Sequence, residues 1–205
     1  MTVEATQDAD FAEVVNGADW VATDGVPITW ALNMQYGIEQ DRIAGFDIMS
    51  DLIRRAAEEQ LPILFYGSTP DVLNVAVANC RELHPTIRIA GTFSPPFRPL
   101  TAAEEEAMIS FINQSGARLV FVALGCPKQE RWMAHMRGKI QAVMIGIGGA
   151  LPLLAGTQGR SPAWMRNAGL EWTYRLAMEP RRLFKRYAIT NSFFVFRLTK
   201  ELLGR

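Results

Sequence analysis

The chain predicts an α/β fold: a Rossmann-like parallel sheet with helices on both faces, plus a C-terminal basic amphipathic helical appendage. Three observations carry this reading. The apolar runs at 61–66, 87–90, 119–124 and 142–147 are continuous rather than alternating, as in strands buried on both faces. Helical patterns separate them, which is the signature of βαβ units. The charge is uneven, with Lys and Arg gathered at the C-terminal end.

In chain order, Asp10–Gly17 predicts a short helix and Asp19–Thr23 a strand, ended by Asp24-Gly25. A helix follows over Pro27–Tyr36, 41–46 is a connector, and 47–59 is helical again. Then strand and helix alternate: Leu61–Tyr66, Pro70–Leu83, Ile87–Ala90, Ala102–Gln114, Leu119–Leu124, Lys128–Arg137 and the last strand Ala142–Ile147. Pro180 suits a first helical turn. Beyond it Leu183, Phe184, Tyr187, Phe193, Phe194, Phe196, Leu198, Leu202 and Leu203 mix with basic residues, as one amphipathic helix or two short ones. Such a Phe-rich face needs cover, from docking or from a membrane. We expect a Rossmann-like catalytic domain over 1–160 and a helical appendage, a membrane-contacting lid, over 161–205.

The 205 residues are 49% apolar, enough for one domain with a real core. The formal net charge is zero, but from Arg160 onward ten Lys or Arg stand against three Glu, a balance of +7. The rest has 11 against 18, a balance of −7. A basic tail on an acidic body points to an anionic partner, whether phosphate, lipid headgroup or nucleic acid, though a solvated charged helix accounts for it equally well. No nucleic-acid-binding module is recognisable, so nucleic acid is not an expected partner. Two cysteines, Cys80 and Cys126, make no disulfide framework and point to a reducing, cytoplasmic compartment. The N-terminus is polar and acidic, without a signal peptide, and no apolar run approaches the roughly 20 residues needed to span a bilayer.

Candidate chemistry lies where strands hand over to helices. Gly67-Ser68-Thr69-Pro70-Asp71 joins a strand to a helix, and its backbone N–H groups suit a phosphate. The spelling is neither a P-loop nor G-x-G-x-x-G, and an ordinary turn capped by Ser68 or Thr69 also accounts for it. Asp24, at a predicted strand end, suits a general base, or simply a turn aspartate. Asp8-Ala9-Asp10 spells D-x-D but sits in a polar stretch that reads as a helix cap, so no metal is expected. His84 and His135 lack ligand spacing. Gln129 and Glu130 open a helix after Pro127, where an amide and a carboxylate suit a sugar hydroxyl and the helix dipole. Trp132, Trp164 and Trp172 can stack on a sugar, though core packing is the commoner use.

Taken together these residues resemble the WecG/TagA/CpsF glycosyltransferase family, which makes bacterial surface polysaccharides. The matching pieces are Asp24-Gly25-Val26-Pro27, Arg42-Ile43-Ala44-Gly45-Phe46-Asp47, Phe65-Tyr66-Gly67, His84-Pro85 and Gly125-Cys126-Pro127-Lys128-Gln129-Glu130. Gly146-Ile147-Gly148-Gly149-Ala150, Arg160-Ser161-Pro162, Gly169-Leu170-Glu171-Trp172, Arg175-Leu176 and Glu179-Pro180-Arg181-Arg182 complete the set, in the family's order. The resemblance implies inverting transfer of a sugar, typically N-acetylmannosamine, from its UDP donor to a polyprenyl-diphosphate-linked sugar, with no cofactor and no D-x-D metal. It implies a protein peripheral on the inner face of the cell membrane. Asp24 matches the family's base and Gln129 its substrate-binding glutamine. Lys128, Glu130, Gly148, Gly149 and Arg160 join Gly67, Ser68 and Thr69 as substrate-binding candidates. Arg175, Arg181, Arg182 and Arg186 would reach the diphosphate and an anionic membrane surface.

Two departures accompany the match. Leu151-Pro152-Leu153 stands where the family usually reads Phe-Asp-Phe, removing an acidic group beside the site. Met1–Glu4 stands where members end an earlier strand in a Thr-x-Asn turn, with Glu4 at the Asn. The first departure supports an alternative, a catalytically lapsed member acting as a scaffold subunit. A Rossmann oxidoreductase is disfavoured by the missing dinucleotide fingerprint. The donor sugar, the linkage and homo-oligomerisation stay open.

Overall fold

The computed structural model describes residues 1–203, apart from the side chains of residues 167, 182, 186 and 201–203. Its elements are α1 (Thr2–Gln7), α2 (Ala9–Asn16), α3 (Val26–Tyr36), α4 (Gly45–Glu58), β1 (Ile63–Gly67), α5 (Pro70–Leu83), β2 (Ile89–Phe93) and α6 (Ala102–Gln114). Then follow β3 (Leu119–Ala123), α7 (Lys128–Met136), β4 (Val143–Gly146), α8 (Ala150–Leu154), α9 (Ala163–Asn167), α10 (Glu171–Met178) and α11 (Pro180–Leu203). The chain divides into two compact units. A sheet unit holds Glu13–Val21 and Ala44–Gly159; a helical unit holds Met1–Ala12, Ala22–Ile43 and the chain from Arg160 on.

In the sheet unit four parallel strands run in the order β2-β1-β3-β4. Residue alternation sends Ile63, Phe65 and Phe121 to one face and Leu64, Tyr66, Val120 and Val122 to the other. The first set packs on Met49 and Ile53 of α4, Leu73 and Cys80 of α5, and Leu151 of α8. The second packs on Met108 and Ile112 of α6 and Met136 of α7. Both faces of the central strands β1 and β3 are therefore dry, as their continuous apolar runs require, while the outer strands β2 and β4 are only partly covered. Phe65 stacks on Phe121 with ring centroids 5.5 Å apart, and Tyr66 stacks on Trp132 at 4.1 Å. Helix α6 is started by a capping box: Thr101 accepts from the Glu104 N–H and Glu104 from the Thr101 N–H.

In the helical unit, α3 ends at Gly37, whose left-handed backbone lets its N–H reach the Asn33 carbonyl. The Asn33 amide then holds Gln40 by both backbone groups, donating to its carbonyl at 3.1 Å and accepting from its N–H at 2.9 Å. That clamp turns the chain back along 22–25, where the Ile43 N–H donates to the Thr23 carbonyl at 2.9 Å. Helix α11 is a single helix, packed on α1 and α10. Its Leu183 is buried and Tyr187 meets Trp172 edge-on, while Phe184, Ile189, Val195 and Phe196 are exposed.

One predicted element is absent. Residues 19–23 are not a strand. Trp20 and Val21 are exposed, so no apolar burial drives pairing, and the Arg137 guanidinium holds the preceding turn through the Gly17 carbonyl and Asp19. Asp24 thus closes an irregular segment, not a strand.

Candidate active site

The sheet unit presents every strand's C-terminal end along one edge, because all four strands are parallel. The order reverses direction between β1 and β3, and such a switch point, beyond the strand ends, is where open α/β sheets hold ligands. Gly67, Ser68 and Thr69 leave β1 there, and Gly125 to Lys128 leave β3 beside them. A Cβ on Gly67 would lie 2.6 Å from the Ala123 carbonyl oxygen, so only glycine lets these two strand ends approach. Its φ of 104° is likewise outside the range of other residues. Ser68 also has positive φ, and its carbonyl is held by the Ser94 hydroxyl at 2.7 Å. Thr69 is the N-cap of α5, but neither it nor Ser68 caps the helix with a side-chain hydrogen bond, so the turn is built by Pro70 and backbone.

The neighbouring loops are locked by Gln129. This side chain is 7% exposed. Its Oε1 accepts from the Gly148 N–H at 2.9 Å, and its Nε2 donates to Glu130 Oε1, also at 2.9 Å. The remaining Glu130 oxygen is buried without a hydrogen-bond partner. Gly146 makes room for the amide: a Cβ there would stand 2.9 Å from Gln129 Nε2. Gln129 therefore ties the start of α7 to the end of β4, next to Gly148 and Gly149. Lys128 is exposed on the first turn of α7. Trp132 is a core residue against Tyr66, whereas Trp164 and Trp172 are exposed.

The helical unit holds the second constellation. The Arg42 Nε donates to the Asp24 backbone oxygen at 2.7 Å. Its Nη2 is shared, 3.2 Å from Asp24 Oδ1 and 2.7 Å from Glu171 Oε2. Arg175 closes the chain on Glu171 Oε1 at 3.2 Å. The surrounding protein raises the Asp24 pKa by desolvation; Arg42 opposes this, Glu171 adds to it by repulsion, and Arg175 opposes it more weakly. The Asp24 side chain nevertheless keeps 62% of its surface, so the carboxylate is wet and open to a substrate. A reachable carboxylate with an elevated pKa suits proton abstraction. Gly169, with φ of 73°, lets the turn before α10 lie against Val26 and so brings Glu171 to Arg42.

Arg175, expected to bind phosphate, is thus part of this ion-pair network. Arg160 and Arg181 are exposed, and the side chains of Arg182 and Arg186 lie outside the described residues. Asp8 of the D-x-D accepts from the Phe11 N–H at 2.9 Å and caps α2. Among the described residues no cluster of His, Cys, Asp and Glu has metal-binding geometry, and no helix is long and apolar enough to cross a membrane. Leu151 is fully buried and Pro152 lies in α8, so the Leu-Pro-Leu segment serves the core. Arg42 and Glu171 stood in matched motifs without an assigned role; two opposite charges in separate motifs were the available signal.

A model of the glycosyl transferase WecG/TagA/CpsF family matches residues 1–205. The N-acetylglucosaminyldiphosphoundecaprenol N-acetyl-beta-D-mannosaminyltransferase of Bacillus subtilis (strain 168) is 31% identical over 179 residues, covering 87% of this chain and 68% of the relative. The family model over the whole chain, and a glycosyltransferase relative 31% identical over 87% of it, make this protein an enzyme, a glycosyltransferase of the WecG/TagA/CpsF family.

Proposed function

We propose that the enzyme transfers N-acetylmannosamine, or a closely related sugar, from a UDP donor to a polyprenyl-diphosphate-linked N-acetylglucosamine, with inversion, in cell-surface polysaccharide synthesis. The observation that carries this is the relative's named activity over 87% of this chain. Asp24 is the base: it takes the proton of the acceptor hydroxyl as that oxygen bonds to the anomeric carbon. The anomeric bond to UDP breaks on the opposite side, and UDP leaves with the electron pair. Gln129, Lys128 and Glu130, with the Gly67–Thr69 and Gly148-Gly149 backbone, bind the donor. Backbone N–H groups and arginines supply the positive field that the leaving diphosphate requires. Arg160, Arg181, Arg182 and Arg186 are candidates for that field, and the segment from 161 on rests on the inner membrane surface as a lid. The basic tail and exposed Phe184 and Phe196 support that docking.

The test is turnover with a panel of UDP-sugars and a short polyprenyl-diphosphate N-acetylglucosamine acceptor, with and without excess EDTA. Transfer from UDP-N-acetylmannosamine that survives EDTA is expected. A strict metal requirement would overturn the metal-free arrangement. The scaffold alternative rests on Leu151-Pro152-Leu153, which puts Pro152 at the position of the family's acidic residue; it predicts no turnover with any donor.

A further inference from the structure

We propose that Glu171 is a positioning residue for the transfer: it draws the Arg42 guanidinium away from Asp24 and so leaves the Asp24 carboxylate free to take a proton. The inference rests on the reading of Asp24 as the base. It begins from an asymmetry in how Arg42 is shared. An arginine paired with a single carboxylate makes a fork of two short parallel bonds. Here Nε is spent on the Asp24 main chain at 2.7 Å, and Nη2 lies nearer Glu171, at 2.7 Å, than Asp24, at 3.2 Å. The Asp24 side chain therefore receives one long bond from a cation committed elsewhere.

The partners of this arrangement differ in exposure. Arg42 and Glu171 keep 19% and 25% of their side-chain surface, against 62% for Asp24. The pair that steers is sheltered, and the group that reacts is open. The charged groups acting on Asp24 are Arg42 from the connector after α3, and Glu171 and Arg175 from α10. Without Glu171, Arg42 would close on Asp24 and the repulsion from Glu171 would vanish. Both changes favour the carboxylate form and weaken Asp24 as a proton acceptor. The matched Gly169-Leu170-Glu171-Trp172 segment thus sets the state of the base through Arg42.

The experiment compares wild type, Glu171→Gln and Glu171→Asp by two readouts. One is the pH dependence of kcat/KM. The other is the Asp24 carboxyl titration followed by ¹³C NMR, with Asp24→Asn identifying the signal. In Glu171→Gln both the ascending limb and the Asp24 titration should move to lower pH. Its kcat should fall about 3–30-fold at neutral pH with little change in KM for the donor, since a weaker base loses rate along a Brønsted line. Glu171→Asp, which keeps the charge, should recover most of the shift. An Asp24 titration unmoved in Glu171→Gln overturns the proposal with the base reading intact, as does an equal loss in both Glu171 variants. Normal turnover by Asp24→Asn removes the base reading itself and the proposal with it.

Discussion

The sheet unit and the helical unit hold their candidate residues by opposite means. Around Gln129 the sheet unit relies mainly on a buried amide, backbone N–H, and glycines that admit close approach, with the neighbouring Glu130 carboxylate as the amide's one charged partner. Around Asp24 the helical unit uses four charges in a chain, partly open to water. Neutral, dry contacts depend on shape and fail when volume changes. Charge contacts depend on protonation and screening, and fail when pH or one partner changes. The first fixes loops and the second tunes reactivity, so the same kind of substitution should have different consequences in the two places.

The largest expected effect is at Gly67. Gly67→Val should cost more than about 4 kcal/mol, because its Cβ would meet the Ala123 backbone, which cannot move alone. Loss of soluble folded protein, followed by thermal melts, reads this. Gly149→Ala, with nothing within 4 Å of its Cβ, should stay within about 0.5 kcal/mol of wild type. A tolerated Gly67→Val would break the claim that shape governs the sheet edge.

Next is Asp24→Asn, which should lower kcat on the order of 10²–10⁴-fold while the fold stands. Folding raises the Asp24 pKa above its ordinary 3.8, so its favourable contribution is complete below that value and is lost as pH rises through the folded-state pKa. At pH 7 the Asn variant should therefore melt at the same temperature as wild type or higher, and the gain should vanish in acid. A variant that melts lower at pH 7 than at pH 3, relative to wild type, contradicts the sign.

The smallest effect sharpens the comparison within the sheet unit. Gly146→Ala presses on the Gln129 amide and on the Met133 methyl, both ends of flexible side chains. It should cost about 1–3 kcal/mol alone. In a Gln129→Ala background much of that cost should disappear, a coupling of about 0.5–3 kcal/mol in a double-mutant cycle. Simple additivity would mean that Gln129 is not what fills the space.

The sequence displayed these two regions unequally. Continuous apolar runs announced β1, β3 and β4 because a parallel sheet buries both faces, and Pro70 marked the start of α5 to the residue. Residues 19–23 misled because Trp20, Val21 and Thr23 favour strands by type, whereas their exposure and the Arg137 anchor are tertiary facts. The helices α8, α9 and α10 are too short for periodicity to reveal them. Gln129 was legible as a residue and its hold on Gly148 was not, since 19 positions separate them. Glu171 and Arg42 are 129 positions apart, and nothing in either local pattern ties one to the other.

The two thiols described above give the protein a built-in chemical clock. Cys80 is fully buried in the core and its thiol pKa is pushed up to about 12 by burial, whereas Cys126 keeps partial exposure just beyond β3. An alkylating reagent therefore meets one partly exposed cysteine in the folded chain and two accessible ones in the unfolded one. A fluorophore at position 126 reports from beside Gly125 at the sheet's switch point, without mutagenesis. The later appearance of a second mass increment, at Cys80, times the opening of the core.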